Sequence, residues 1–279
     1  MRQVELVPGI FSSALGFGCA PVLGSVDAAT ARCAIHTALE SGITHFDLAR
    51  SYGFGQAEAF VGREIGSERG RLVLVTKFGI CATWAAALLR PFKPLVRSLR
   101  RKARSSLENR AVAGVTPMTN GRLGNWLHRR LPMNAAAMRI SLEESLRALR
   151  TDRVEILLLH EPEEISRGSE LAACAEALKQ EGKIRAWGLA SAYDKPPSHE
   201  LEERLDIWQT SVPSGPADFR SMQERQGNKP CILFSPLRGV PSVERGARLS
   251  QVWRSFPRAV VLCSMYDPAH IRSNAALAV

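Results

Sequence analysis

The chain of 279 residues lacks most of the patterns that would assign it quickly. Its six cysteines (Cys19, Cys33, Cys81, Cys174, Cys231 and Cys263) form no CxxC pair and no metal-ligand spacing. That argues against a zinc site or a disulfide framework and for scattered reduced thiols. No apolar run approaches the roughly 18 residues that span a bilayer, and Met1-Arg2-Gln3-Val4-Glu5 does not open a signal peptide. A cytoplasmic protein is therefore expected. No GxGxxG follows the first strand-like run, and Gly16-Phe17-Gly18 alone is too little for a Rossmann dinucleotide site. Acidic residues are nearly missing from one stretch: between Cys81 and Arg139 the only one is Glu108.

What is present is ordinary globular composition. Hydrophobic residues make up 45% and charged residues 23%, which excludes a wholly disordered chain. The net charge of +10 is unevenly spread. The stretch from Cys81 to Arg139 holds twelve basic residues against one acid, and the rest of the chain holds 25 basic against 26 acidic. A near-neutral body carries one very basic segment.

Short apolar, β-branched runs recur with helical patterns between them. The expected strands are Ala14–Gly18, Ile43–Leu48, Leu72–Thr76, Val154–Leu159, Ile184–Leu189, Asp206–Thr210, Cys231–Ser235 and Ala259–Cys263. Their starts lie 29, 29, 82, 30, 22, 25 and 28 residues apart. Six intervals suit a strand plus a crossover helix, and the third is about 50 residues too long for one. Helices are expected at Ala28–Glu40, capped by Asp27 and stopped before Gly42, and at Ser141–Arg150, where Ser141-Leu142-Glu143-Glu144 is either a capping box or part of a helix that starts earlier. Glu170–Gln180, ending at Gly182, and Pro268–Ala276 complete the set. Eight strands alternating with helices predict an α/β fold, a (β/α)₈ TIM barrel forming one domain over 1–279, with a basic insertion at 81–133 after the third strand.

In such a barrel the chemistry sits where strands end. The second expected strand ends at Asp47 with Tyr52 in its loop, the third at Lys77, and the fourth at His160. Each alone admits a bland role, as a helix cap, a surface charge or a core histidine. Their placement at three successive strand ends selects them as a set.

The residues around that set resemble the aldo-keto reductase family over nearly the whole chain. Asp47-Leu48-Ala49-Arg50-Ser51-Tyr52-Gly53-Phe54-Gly55-Gln56-Ala57-Glu58-Ala59-Phe60-Val61-Gly62 is similar to that family's D-x-A-x-x-Y-G-x-G-x-x-E-x-x-x-G signature. Val75-Thr76-Lys77-Phe78-Gly79, Leu157-Leu158-Leu159-His160, Gly182-Lys183-Ile184-Arg185-Ala186-Trp187-Gly188 and Phe234-Ser235-Pro236-Leu237 follow in the family's order.

The resemblance implies hydride transfer between a nicotinamide cofactor and a carbonyl or alcohol, without a metal. Reduction puts negative charge on the carbonyl oxygen, so a nearby acid must give a proton. Tyr52 is the expected acid, and Lys77 beside it is expected to lower the phenol's pKa from about 10. Asp47 is expected to pair with Lys77, and His160 to hydrogen-bond the substrate carbonyl. By resemblance, Ser191, Gln209, Ser235 and Leu237 flank the nicotinamide and pyrophosphate, with Gln209 at the nicotinamide end. Arg238 suits a phosphate contact. Ser264, His270 and Asn274 take the adenosine end, with Asn274 on the adenine.

The chain departs from the family at three points. Ala190-Ser191 replaces the frequent Ser-Asn, Ser264 and His270 stand where Lys and Arg usually meet the 2′-phosphate, and the long C-terminal substrate loop is expected to be missing. NADPH is the expected cofactor, with NADH the alternative.

The expected partner is a small carbonyl compound, either anionic or a sugar derivative. Pro94 to about Leu107 reads as a basic amphipathic helix, with Leu95, Val96, Leu99 and Ala103 opposite Arg97, Arg100, Arg101 and Arg104. Four roles fit: a lid packed on the barrel, a peripheral contact of 84–107 with the anionic inner face of a membrane, recognition of an anionic substrate, or docking to a protein. No nucleic-acid-binding motif is present. A second function class follows from the docking role: a catalytically weak nicotinamide-binding accessory or regulatory subunit. The oligomeric state leaves no mark in the sequence.

Overall fold

The computed structural model describes residues 1–88, 127–162, 168–226 and 229–279. It opens with a two-stranded antiparallel hairpin, β1 (Gln3–Val7) and β2 (Ile10–Ser13). Eight further strands close a parallel barrel: β3 (Leu15–Gly18), β4 (His45–Asp47), β5 (Val73–Phe78), β8 (Val154–His160), β9 (Ile184–Ser191), β10 (Ile207–Ser211), β11 (Cys231–Phe234) and β12 (Ala259–Cys263). β12 pairs with β3, so the sheet has no free edge. The predicted (β/α)₈ barrel is present, and all eight expected strands lie in it in chain order.

Connecting helices surround the sheet: α1 (Ala28–Glu40), α2 (Ala57–Ile65), α4 (Ala135–Leu149), α5 (Gly168–Gln180), α7 (Pro216–Gln226), α8 (Arg245–Ser255) and α9 (Pro268–Leu277), with two short ones, α3 (Trp84–Leu88) and α6 (His199–Glu202). Asp27 caps α1 by accepting the Thr30 N–H at 2.9 Å, as expected. At Ser141 the alternative of an earlier start holds. The helix starts six residues earlier, where the Asn134 side chain accepts the Ala137 N–H at 2.9 Å, and Ser141 is buried inside it. The apolar face that carries Met138 and Leu142 into the core continues through the apparent capping box, so packing decides the start.

Two apolar cores follow from strand alternation. Val73, Val75, Ile156, Leu158, Ile232 and Val260 point inward and meet Val4, Leu6 and Ile10 of the β1–β2 hairpin. That hairpin plugs the floor of the barrel and is tied to it by Ser13 and Thr44, each backbone N–H donating to the other's side-chain oxygen at 2.9 Å. The second core packs outward-facing strand residues such as Phe46, Leu74 and Leu157 against the helices. No helix among the described residues is long and apolar enough to cross a membrane.

The overlong third interval contains a second antiparallel pair, β6 (Ile80–Ala82) with β7 (His128–Arg130). It is extended by Thr83 N–H to the Leu127 carbonyl and Leu131 N–H to the Gly79 carbonyl. The inserted segment leaves and rejoins the barrel side by side, at the carboxyl end of β5. The helix expected over Pro94 to Leu107 lies outside the described residues.

Helix α2 approaches α4 through Gly62. A Cβ there would lie 2.5 Å from the Leu149 carbonyl oxygen and 2.7 Å from its Cα, backbone atoms that cannot turn aside. Gly70 has nothing within 4 Å of the same position. Gly62→Ala is expected to lower unfolding stability by about 1–3 kcal/mol, with Gly70→Ala within about 0.5 kcal/mol of wild type. Urea midpoints at constant m-value measure both, and equal midpoints would show that this helix pair tolerates the methyl.

Candidate active site

Closure of the barrel brings Asp47 from the end of β4, Lys77 from β5 and His160 from β8 to one rim, with Tyr52 on the loop after β4. The Lys77 ammonium donates to both Asp47 carboxylate oxygens at 2.7 Å, to the Leu48 carbonyl at 2.8 Å, and reaches the Tyr52 hydroxyl at 3.3 Å. Lys77 and Asp47 are only 2% and 4% exposed, so this ion pair is shielded from solvent screening. The Tyr52 and His160 rings stand edge to face, 6.2 Å apart. All four expected residues meet in one cavity of about 740 Å³.

The phenol of Tyr52 departs from expectation. Its pKa is raised well above the ordinary tyrosine value, first by burial and then by the negative charge of Asp47. Burial and Asp47, rather than the neighbouring Lys77, set this direction. Tyr52 therefore holds its proton at neutral pH, the form a proton donor needs. His160 is pushed the other way, well below the usual histidine range, by burial and then by the positive charges of Lys77, Arg130 and His128. It is neutral at pH 7. Among the described residues its buried Nδ1 has no hydrogen-bond partner.

The expected cofactor residues divide. Ser235, Leu237, Arg238, Ser264, His270 and Asn274 line the same cavity as the tetrad. Gln209 also lines it, but its amide donates to Asp47 at 2.7 Å, so in this structure it braces the carboxylate. Ser191 is absent from the lining; it is buried and its hydroxyl accepts the Trp208 indole N–H at 2.9 Å. Ala190, one residue earlier, faces the cavity instead, because neighbouring strand residues point to opposite sides. Asn274 contacts the Met265 sulfur at 3.2 Å.

Sequence reasoning missed Glu161, Arg245 and Tyr266, which also line the cavity. Glu161 could have been found from its position directly after His160. Arg245 opens α8, and no local pattern marks it as facing the cavity. Among the described residues no group of three or more His, Cys, Asp or Glu is placed to hold a metal ion.

Residues 14–196 match the Aldo/keto reductase family. The chain belongs to that family. Among curated relatives it is 27% identical over 191 residues to aldo-keto reductase YhdN of Bacillus subtilis, covering 66% of this chain and 44% of that one. It is 28% identical over 190 residues to a D-threo-aldose 1-dehydrogenase of a Pseudomonas species, covering 66% and 51%. The matched region thus spans about half the length of these curated relatives. The fold superposes with a TM-score of 0.63 on an aldo-keto reductase from Klebsiella pneumoniae solved in complex with NADPH, at 22% identity over 99% of this chain and 89% of that one.

Two residues before Asp47 on β4, His45 is fully buried against the floor hairpin, with Nδ1 3.0 Å from the Ser12 hydroxyl. Burial pushes its pKa from 6.5 to about 4. The unfolded chain takes up this proton first as the pH falls. His45 therefore contributes stability that is complete above pH about 6.5 and lost as pH falls towards about 4, roughly 3 kcal/mol in all. The stability gap between wild type and His45→Gln is expected to narrow by about 2 kcal/mol between pH 7 and pH 5 in urea titrations. A gap independent of pH would contradict it.

Proposed function

We propose that the protein is an NAD(P)H-dependent oxidoreductase that reduces an aldehyde or ketone to an alcohol, or runs the reverse, with Tyr52 as the general acid. The observation that carries this is the joint placement of Tyr52, Lys77, Asp47 and His160 on one cavity wall. A protonated phenol braced by a buried ion pair stands beside a neutral imidazole. Tyr52 gives its proton to the carbonyl oxygen as charge develops there, and His160 stabilises and orients that oxygen. Asp47 holds Lys77, and Gln209 holds Asp47. A pure binding subunit has no need of this arrangement, so turnover is favoured over an accessory role.

The cavity also suits a dinucleotide. It runs from the tetrad past Ser235, Leu237 and Arg238 to Ser264, His270 and Asn274, with Arg238, Arg245 and His270 available to phosphate groups. A reduced nicotinamide bound there supplies the hydride. NADPH is the proposed form, as in the Klebsiella structure, and the substrate is a small carbonyl compound.

A peripheral contact with an anionic membrane is the second reading, for the inserted segment alone. Trp84 and Leu88 are 73% and 64% exposed in α3, next to the most basic stretch of the sequence. Exposed apolar side chains and positive charge act together at an anionic surface.

Tyr52→Phe is expected to cut kcat/KM for NADPH-dependent aldehyde reduction by a factor on the order of 100 to 10,000, while NADPH binding followed by fluorescence stays near wild type. Activity unaffected by the change would remove Tyr52 from the mechanism. For the membrane reading, vesicles containing phosphatidylserine should sediment the protein at low salt, less so after Trp84→Ala with Leu88→Ala. Full recovery in the supernatant would sink it.

A further inference from the structure

The cavity contains a carboxylate that the proposed chemistry does not use. Glu161 follows His160 at the end of β8 and lines the cavity together with Tyr52, Lys77 and His160. Its backbone sits at φ +43°, the left-handed region that a residue with a Cβ rarely adopts. Two hydrogen bonds hold it there. Its N–H donates to the Ala190 carbonyl at 2.8 Å, and its own carbonyl accepts from the Arg130 guanidinium at 2.7 Å. Arg130 belongs to β7, the returning strand of the inserted hairpin. A strained residue fixed from two sides beside an active centre is over-determined by its surroundings, as positions that serve function often are.

The side chain itself is exposed, and among the described residues no ion pair engages it. Its charge nonetheless reaches the phenol, where it helps keep Tyr52 protonated, after burial, Asp47 and Cys19.

We propose that Glu161 is a specificity-determining residue: its carboxylate accepts hydrogen bonds from hydroxyl groups along the short carbon chain that bears the reacting carbonyl and turns away compounds that carry an anion on that chain. The inference rests on the reductase reading above. An ionised carboxylate only accepts hydrogen bonds, and those it receives from hydroxyls are short and charge-assisted. An alkyl chain would displace water from it and return nothing. A substrate carboxylate or phosphate beside it would meet like charge. A polyhydroxylated carbonyl compound satisfies the group without either penalty. This selects the sugar-like substrate class over the anionic one suggested by the basic segment. The segment's part is then indirect, since Arg130 anchors the peptide that presents Glu161.

Three four-carbon aldehydes test it in steady-state assays with NADPH: D-threose, butanal and succinic semialdehyde. Wild type is expected to prefer D-threose to butanal, and Glu161→Gln to reduce that kcat/KM ratio about tenfold, the effect of one charge-assisted hydrogen bond. The same variant should raise succinic semialdehyde turnover relative to butanal. Glu161→Gly should repeat both changes with a Tm no lower than wild type, because glycine suits the left-handed backbone and the loss cannot then be ascribed to misfolding. Ratios unchanged in both variants, or a wild-type preference for succinic semialdehyde, would overturn the assignment while leaving the reductase reading intact. Turnover of none of the three by wild type would instead count against the reductase reading and take this inference with it.

Discussion

The buried ion pair between Lys77 and Asp47 is the interaction on which the rest of the site depends. Taking two charges out of water costs several kcal/mol per ion, recovered only when the pair is close and its remaining donors and acceptors are satisfied. Here the ammonium is spent on both carboxylate oxygens, the Leu48 carbonyl and the Tyr52 hydroxyl. Asp47 receives a further bond from Gln209. These residues come from β4, β5 and β10 and the loop after β4. The pair is therefore satisfied only when the sheet has closed into a barrel, and losing one partner would strand a charge in the interior.

Closure in turn rests on close approaches and on a filled interior. Gly16 lets Leu262 and His45, its register partners on β12 and β4, crowd in on either side of it, since a Cβ there would lie 2.5 Å from a Leu262 methyl carbon. The β1–β2 hairpin seals the floor with Val4, Leu6 and Ile10, leaving the opposite end open as the cavity. At that open end the inserted hairpin reaches the end of β8 through Arg130, which donates to the Glu161 carbonyl. The basic segment is therefore joined to the rim of the cavity, whatever further surface it contacts.

Much of the barrel was legible because its period is written locally. Runs such as Ala259–Cys263 and Ile156–Leu159 are β-branched or leucine-rich and uninterrupted, as strands buried on both faces must be. Asp27 and Gly42 bracket α1 by cap chemistry that needs no tertiary contact. The floor hairpin escaped notice, since Gln3–Val7 alternates only briefly and its role as a plug exists only once there is a barrel to plug. Ser141 left the helix start open for a related reason: its pattern suits a cap, but the helix face extends back to Asn134 because Met138 has a core to enter. At the site, strand ends pointed to Asp47, Lys77 and His160, whereas Ser191 faces the helices and Ala190 the cavity, a difference of one residue in strand phase.

The sequence by itself determined the order of strands and helices, the four residues that meet at the rim, and the confinement of excess charge to one segment, because each is fixed by residue type and spacing along the chain. Tertiary structure decided the charge states and the company those residues keep. The Tyr52 phenol holds its proton more firmly than its lysine neighbour implied, since burial and the charge of Asp47 both raise its pKa. Gln209 braces a carboxylate 162 positions away, and Glu161 stands in the cavity wall on a backbone turn held by the inserted hairpin. Such effects depend on desolvation and distance across the closed barrel, quantities that no local stretch of sequence contains.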